Sequence, residues 1–160
     1  MDLQKPYKLN MRLLAEALER NYIKIEFYGK EDQLRFDRIG AFYDAKALKS
    51  GVVYLIRAEE WKTEYGEVPG CGFIIQGRIP LEEVPATTSS IQILDSCSSF
   101  RVLDILQELF SLFDEWNQRL QGALNSQKPL DLIISASEKI FRNPMFIHDN
   151  PELFMGQISN

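Results

Sequence analysis

The chain has 160 residues, of which 45% are hydrophobic and 26% charged, a size and balance that suit one soluble domain with or without a helical extension. Its 18 basic residues face 23 acidic ones, for a formal net charge of −5, and no run of Lys and Arg forms the basic stripe of a nucleic-acid-binding surface. Two cysteines make no disulfide framework, no signal-peptide pattern opens the chain, and no stretch approaches the ~20 apolar residues of a membrane span, so a cytoplasmic setting without membrane attachment is expected.

Residues 9–19 read as a first helix, with Met11, Leu14 and Leu18 on one face, Asn10 as its cap and Asn21 as its end. Residues 22–28 alternate, Ile23, Ile25 and Phe27 against Lys24, Glu26 and Tyr28, which predicts a half-buried strand. Residues 34–43 are strand-like, with Gly40 as a bulge or close-approach site. Residues 45–49 predict a short helical connection. Residues 52–56 form a continuous apolar run, the mark of a strand covered on both faces.

Residues 58–64 predict a short helix carrying Trp61, and Gly66, Gly70 and Gly72 a loop. Short apolar strands follow at 73–75 and 91–94, with a helical turn at 80–84 and coil at 85–90 between them. Strands alternating with such short connections imply an α/β layer whose sheet is at least partly parallel and has room for antiparallel edges.

Residues 99–124 predict a long helix capped by Ser98 or Ser99. A second helix starts at Pro129 and runs to about Arg142, where Pro144 stops it. Residues 145–147 and 153–155 read as a short hairpin around Asp149-Asn150-Pro151. The expected fold is therefore α/β: a small mixed sheet with short helices, then a long helix and a second helix leading into a short β-hairpin. The expected division is an α/β regulatory domain at 1–98, a helical connector at 99–142 and the start of a sensor module at 143–160.

The long helix carries two apolar seams. One runs through Leu103, Leu106, Phe110, Phe113, Leu120 and Leu124, with Asn117 at a core position of the same heptad register. The other runs through Val102, Ile105, Leu109, Leu112 and Trp116. One seam suffices for a helix packed on a single core, so two seams predict one face for the domain and one for a second copy. The predicted dimer interface is Leu103, Leu106, Phe110, Phe113, Asn117 and Leu120.

Catalytic chemistry has little to build on. The one histidine, His148, stands beside Asp149 with no nucleophile at a recognisable spacing. The glycine loop leads into a strand rather than a helix and lacks the Walker lysine, so it reads as a plain loop. Cys71 and Cys97 lack the close pairing of a structural zinc site, and no metal or cofactor is expected. Cys71 reads as an apolar filler, with exposure beside two glycines as the other possibility. Tyr54, Arg57 and Trp61 fall at the end of the central strand, where α/β sheets bind ligands, and are the predicted effector-binding residues.

The order of a small α/β domain around Gly51-Val52-Val53-Tyr54-Leu55-Ile56, a helix with Phe113 to Trp116 near its end, and a second helix followed by Asn143-Pro144-Met145-Phe146-Ile147-His148-Asp149 resembles the N-terminal regulatory region of bacterial PucR-type transcription regulators, the purine-catabolism and sugar-diacid activator group. In that family a helix with a "Phe-x-x-Trp"-like end leads to a second helix, and an "Asn-Pro-apolar-x-apolar-x-Asp" segment begins a PAS- or GAF-like sensor domain. The resemblance implies a regulatory, signal-receiving and dimerising segment of a transcription factor; without a catalytic set no enzyme activity is expected, and the expected partners are a second copy, a small-molecule effector and DNA only through a domain outside these residues. A stand-alone protein-interaction module with an apolar helix face is the alternative reading, and a small enzyme using Cys71 or the Arg57 region a weaker one.

Overall fold

A computed structural model describes residues 7–29, 33, 35–141, 146–149 and 153–157. The chain divides into two compact units, Met1–Phe110 and Ser111–Asn160. Among the described residues no helix is long and apolar enough to cross a membrane.

The first unit opens with α1 (Met11–Arg20). The Asn10 side chain accepts a hydrogen bond from the Leu13 N–H at 2.9 Å, which satisfies one of the free donors of the first turn. Met11, Leu14, Ala15 and Leu18 form its buried face. Asn21 ends it, and Tyr22 follows in the left-handed region at φ 62°. The expected strand from Tyr22 is thus shortened to β1 (Ile25–Tyr28).

Four further strands complete the sheet: β2 (Arg38–Ala41), β3 (Val52–Arg57), β4 (Gly72–Gln76) and β5 (Ser89–Ile93), in the spatial order β1-β5-β4-β3-β2. Strands β2 to β5 are mutually parallel, and β1 closes one edge antiparallel to β5. The mixed α/β sheet is as the sequence pattern implies. The strand at 34–43 begins later than expected, at Arg38, with Phe36 making an isolated antiparallel bridge to Leu9; Gly40 sits in regular register with Tyr54, without a bulge. Ser89 and Ser90, expected as coil, are buried strand residues paired with Gly72 and Phe73.

Register assigns the strand residues to two faces, because paired residues point the same way. On the first face, Tyr54 pairs with Phe73 and Ile56 with Ile75. The connections between the parallel strands close over it: Phe42 and Leu48 from the first, Trp61, Tyr65 and Val68 from the second, Ile79 and Val84 from the third. Trp61 sits edge-on to Phe73 at 5.1 Å between ring centres and to Tyr65 at 6.2 Å, the arrangement that ring quadrupoles favour. The predicted helix at 58–64 is split, with a 3₁₀ turn at Ala58–Glu60 and one helical turn, α2 (Thr63–Gly66), on either side of extended Trp61. The split lets the indole turn inward, where its Nε1 donates to the Glu83 carbonyl at 3.2 Å.

The second face carries Phe27, Ile91, Ile74 and Leu55, and α1 lies over it. Gly72 starts β4 on this side. A Cβ there would come within 2.6 Å of the Phe36 ring and 2.7 Å of the Met11 methyl, so the glycine exists to let these two fully buried side chains lie on the backbone.

The long helix α3 (Ser99–Leu124) has the predicted bounds. Its residues through Phe110 belong to the first unit, where Val102, Leu106 and Phe110 are buried. The unit boundary therefore falls at 110/111 rather than at 98/99, because the start of α3 is part of the α/β core. The Tyr7 hydroxyl donates to the Phe110 carbonyl at 2.9 Å, and Arg101 donates to the Asn21 carbonyl at 3.1 Å.

The second unit holds the rest of α3, α4 (Pro129–Ser137) and the antiparallel pair β6 (Phe146–Asp149) and β7 (Leu153–Gln157), with an irregularity between Ile147 and His148. The helix α4 is shorter than expected and gives way to turns after Ser137. Arg142, Asn143, Pro144 and Met145 lie outside the described residues, as do the side chains of His148 and Asp149. The Trp116 indole donates to Ser137 Oγ at 3.0 Å, and Ser137 Oγ donates to the Ile133 carbonyl at 2.8 Å. Phe113 and Phe141 each stand edge-on to Trp116, at 5.8 Å.

One buried amide ties the third crossover to the sheet. Gln92 Oε1 accepts from the Ile79 N–H at 3.1 Å, and Gln92 Nε2 donates to the Ile79 carbonyl at 3.3 Å. Gln92→Leu strands both backbone groups in the core and is expected to cost at least about 2 kcal/mol. Urea denaturation of the variant against the wild type measures this.

Candidate functional site

The carboxyl ends of three parallel strands form one row: Arg57 of β3 pairs with Gln76 of β4, and Gln76 with Ile93 of β5. Parallel sheets bind ligands at this margin, where the chain leaves the strands and the backbone is no longer committed to the ladder. Here the row forms one side of an open cleft of about 750 Å³, within the size range of small-molecule sites. The segment at 94–100, which leads from β5 into α3, forms the other side.

The cleft is polar. Arg57 is exposed, and among the described residues no carboxylate pairs with it. Glu59 and Asp95 also line it. Asp95 is held in place by accepting the Lys24 N–H at 2.8 Å. Gly77 turns the chain out of β4 at φ +108°, a conformation that other residues rarely adopt, and its N–H donates to the Ile93 carbonyl at 3.0 Å.

Gln76 joins the two sides. Its Nε2 donates to the Cys97 carbonyl at 2.8 Å, and its Oε1 accepts from the Ser99 hydroxyl. The carbonyl of Ser98 accepts the first helical bond of α3, from the Val102 N–H at 3.2 Å. The lead-in and the first turn of α3 are thus anchored to the end of β4.

The predicted effector residues are not brought together. Arg57 lines the cleft, but Tyr54 and Trp61 are buried in the aromatic cluster of the first face. The reason is the alternation of β3: Tyr54 points to the opposite face from Arg57. Its hydroxyl is used internally, accepting from the Lys49 N–H at 2.9 Å and donating to the Ala47 carbonyl at 3.1 Å. Both aromatics are structural. The polar residues that do share the cleft with Arg57, above all Gln76 and Asp95, were not singled out from the sequence. Their signal was the polar break after each apolar run, Gln76-Gly77 after one strand and Asp95-Ser96 after another.

The predicted interface residues also divide. Leu106 and Phe110 are closed inside the first unit and are not available to a second chain. Leu103, Phe113, Asn117 and Leu120 are half-buried, and Leu124 is 61% exposed. The buried row 102-106-110 takes one residue from one predicted seam and two from the other, because a helix lying on a sheet buries an i, i+4 stripe rather than a strict heptad seam.

Among the described residues no group of three His, Cys, Asp or Glu side chains converges to hold a metal ion. Cys71 is buried, its thiol donates to the Lys49 carbonyl at 3.2 Å, and burial pushes its pKa above the ordinary 9.0. Burial likewise pushes the Tyr54 hydroxyl above 10.0, with the hydrogen bond from Lys49 opposing it.

Two outcomes follow from this geometry. Cys97 is partly exposed and Cys71 buried, so N-ethylmaleimide is expected to label Cys97 at least about tenfold faster in the folded protein, as peptide mass spectrometry would measure. Cys71 and Tyr54 are both held neutral by the fold, so their contribution to stability is complete below their ordinary values of 9.0 and 10.0 and is lost as pH rises through the higher folded values. Tyr54→Phe is expected to lower stability at neutral pH by about 1 kcal/mol and to flatten the alkaline fall, a pair of effects read by thermal denaturation against pH. No protein-family model, no curated protein and no solved structure matches this chain.

Proposed function

We propose that this chain is the regulatory segment of a bacterial transcription regulator of the PucR type, acting in the cytoplasm by binding rather than by catalysis. Its α/β unit receives a small-molecule effector in the cleft at the ends of β3, β4 and β5. The response passes into α3, and two copies pair through the C-terminal half of that helix. DNA is reached through a domain outside these residues.

The observation that carries this reading is that one segment does two jobs. Residues 94–100 wall the cleft and also begin a 26-residue helix that continues past the α/β unit. An effector that prefers one arrangement of this segment shifts the population of α3 arrangements by its differential affinity. The motif order from Gly51 to Asp149 supports the family assignment. Arg57, without a carboxylate partner among the described residues, supports an effector carrying a negative charge or a strong acceptor.

Pairing draws on the part-exposed Asn117 and Leu120 and the exposed Leu124, with an asparagine at a core position able to fix register. Sedimentation equilibrium is expected to show a dimer at micromolar concentration, and Leu120→Asp with Leu124→Asp a folded monomer. A wild-type monomer at high micromolar concentration sinks the dimer and favours a stand-alone interaction module, for which exposed Tyr22 and Phe100 would supply contact residues.

The cleft is tested separately by a thermal-shift screen of small metabolites. A hit is expected to raise Tm by several degrees at ligand well above Kd. Arg57→Ala is expected to abolish that rise while leaving the ligand-free Tm nearly unchanged, since an exposed side chain contributes little to stability. An undiminished shift in Arg57→Ala places the effector elsewhere.

A further inference from the structure

Gln76 lines the cleft and also holds the start of α3. A primary amide has two N–H donors and two acceptor lone pairs. One donor is spent on the Cys97 carbonyl and one acceptor on the Ser99 hydroxyl, so an occupant that takes these two groups competes for them with the 97–99 segment. The two bonds to the 97–99 segment come from a single planar group. Turning that plane toward an occupant withdraws both bonds together, and what then holds the beginning of α3 is the packing of Val102 and Leu106 and the bond from Arg101 to Asn21.

We propose that Gln76 is the joint through which occupancy of the cleft controls the seating of the first turns of α3. This inference rests on reading the cleft as the effector site. Gln76 is a positioning residue: with its amide on Cys97 and Ser99 the helix start is docked, and with its amide turned to an occupant the helix start is released.

The structure supplies its own artificial occupant. Cys97 lines the cleft and is partly exposed, whereas Cys71 is buried, so N-ethylmaleimide attached to Cys97 places a covalent group at the cleft wall without knowledge of the natural effector. Amide hydrogen exchange over residues 99–106 is then measured in the wild type and in Gln76→Leu, each with and without the adduct. The adduct is expected to speed exchange about tenfold in the wild type, and Gln76→Leu to do the same without it, as loss of part-buried hydrogen bonds at a helix start implies. With Gln76→Leu in place the adduct is expected to add less than about twofold, because the joint is already open.

Multiplying effects of adduct and mutation overturn the proposal, as does an adduct with no effect in the wild type. Ser99→Ala removes one of the two bonds and keeps the test available if Gln76→Leu fails to fold; its exchange is expected between the two extremes, with a reduced response to the adduct, and an undiminished response overturns the proposal. Failure of the effector reading has a different signature: a metabolite screen without a cleft-dependent hit, beside an intact non-multiplying response to the adduct.

Discussion

The architecture of the first unit follows from the hand of its crossovers. Strands β2, β3, β4 and β5 are parallel and stand in steady sequence across the sheet. A connection between parallel strands is almost always right-handed, so three successive steps in one direction put all three connections on the same face. Residues from each of them do meet in one cluster, Phe42 and Leu48 with Trp61 and Tyr65 and with Ile79. The opposite face is left to segments from outside the parallel run. That is why α1, from before the run, lies over it, while the start of α3, from after the run, belongs to the same unit and begins at the carboxyl margin of the sheet, beside the cleft.

Short connections make a demand of their own. They are too brief to satisfy their backbone groups with long helices, so side chains do it instead. Gln92 clamps Ile79, Thr88 donates to the Gly66 carbonyl at 2.7 Å, Tyr54 serves Ala47 and Lys49, and the Trp61 indole reaches Glu83. Each is a polar side chain fixed in the interior or at its rim by a specific backbone partner, as buried polar groups require. Gln76 belongs to the same set, but its partner lies on the far side of a cleft, which turns a structural device into a responsive one.

Much of this fold was legible because periodicity and punctuation agreed. The continuous apolar run of β3, the Asn10 cap of α1 and both ends of α3 follow from patterns that one element alone determines. What was not legible depends on tertiary partners. Ser89 and Ser90 read as coil because serine has little strand preference, yet they are buried between β1 and β4. Trp61 and Tyr54 fit a ligand site by their place at the strand end, and only the alternation of β3 and the break in the expected 58–64 helix send them to the core. The two seams of α3 were visible, but Val102, Leu106 and Phe110 were divided between them, since the tilt of a helix on its sheet is not written in its own residues. The place of Arg57 beside the cleft is legible from its position at a strand end; that of Gln76 is not, because its partners Cys97 and Ser99 lie across the gap.

The position of β1 bears on the order in which the molecule assembles. It precedes every other strand in the chain, yet it pairs only with β5, Ile25 against Ile93 and Phe27 against Ile91. During synthesis α1 and β1 therefore leave the ribosome with no sheet to join, and their apolar sides stay uncovered until the fifth strand has emerged and the parallel set has closed. Long-range pairings of this kind form slowly because the loop must be closed before the contacts repay it. The N-terminal elements therefore wait for the later strands, and the apolar surface of the folding chain stays exposed at least until β5 and the start of α3 have emerged.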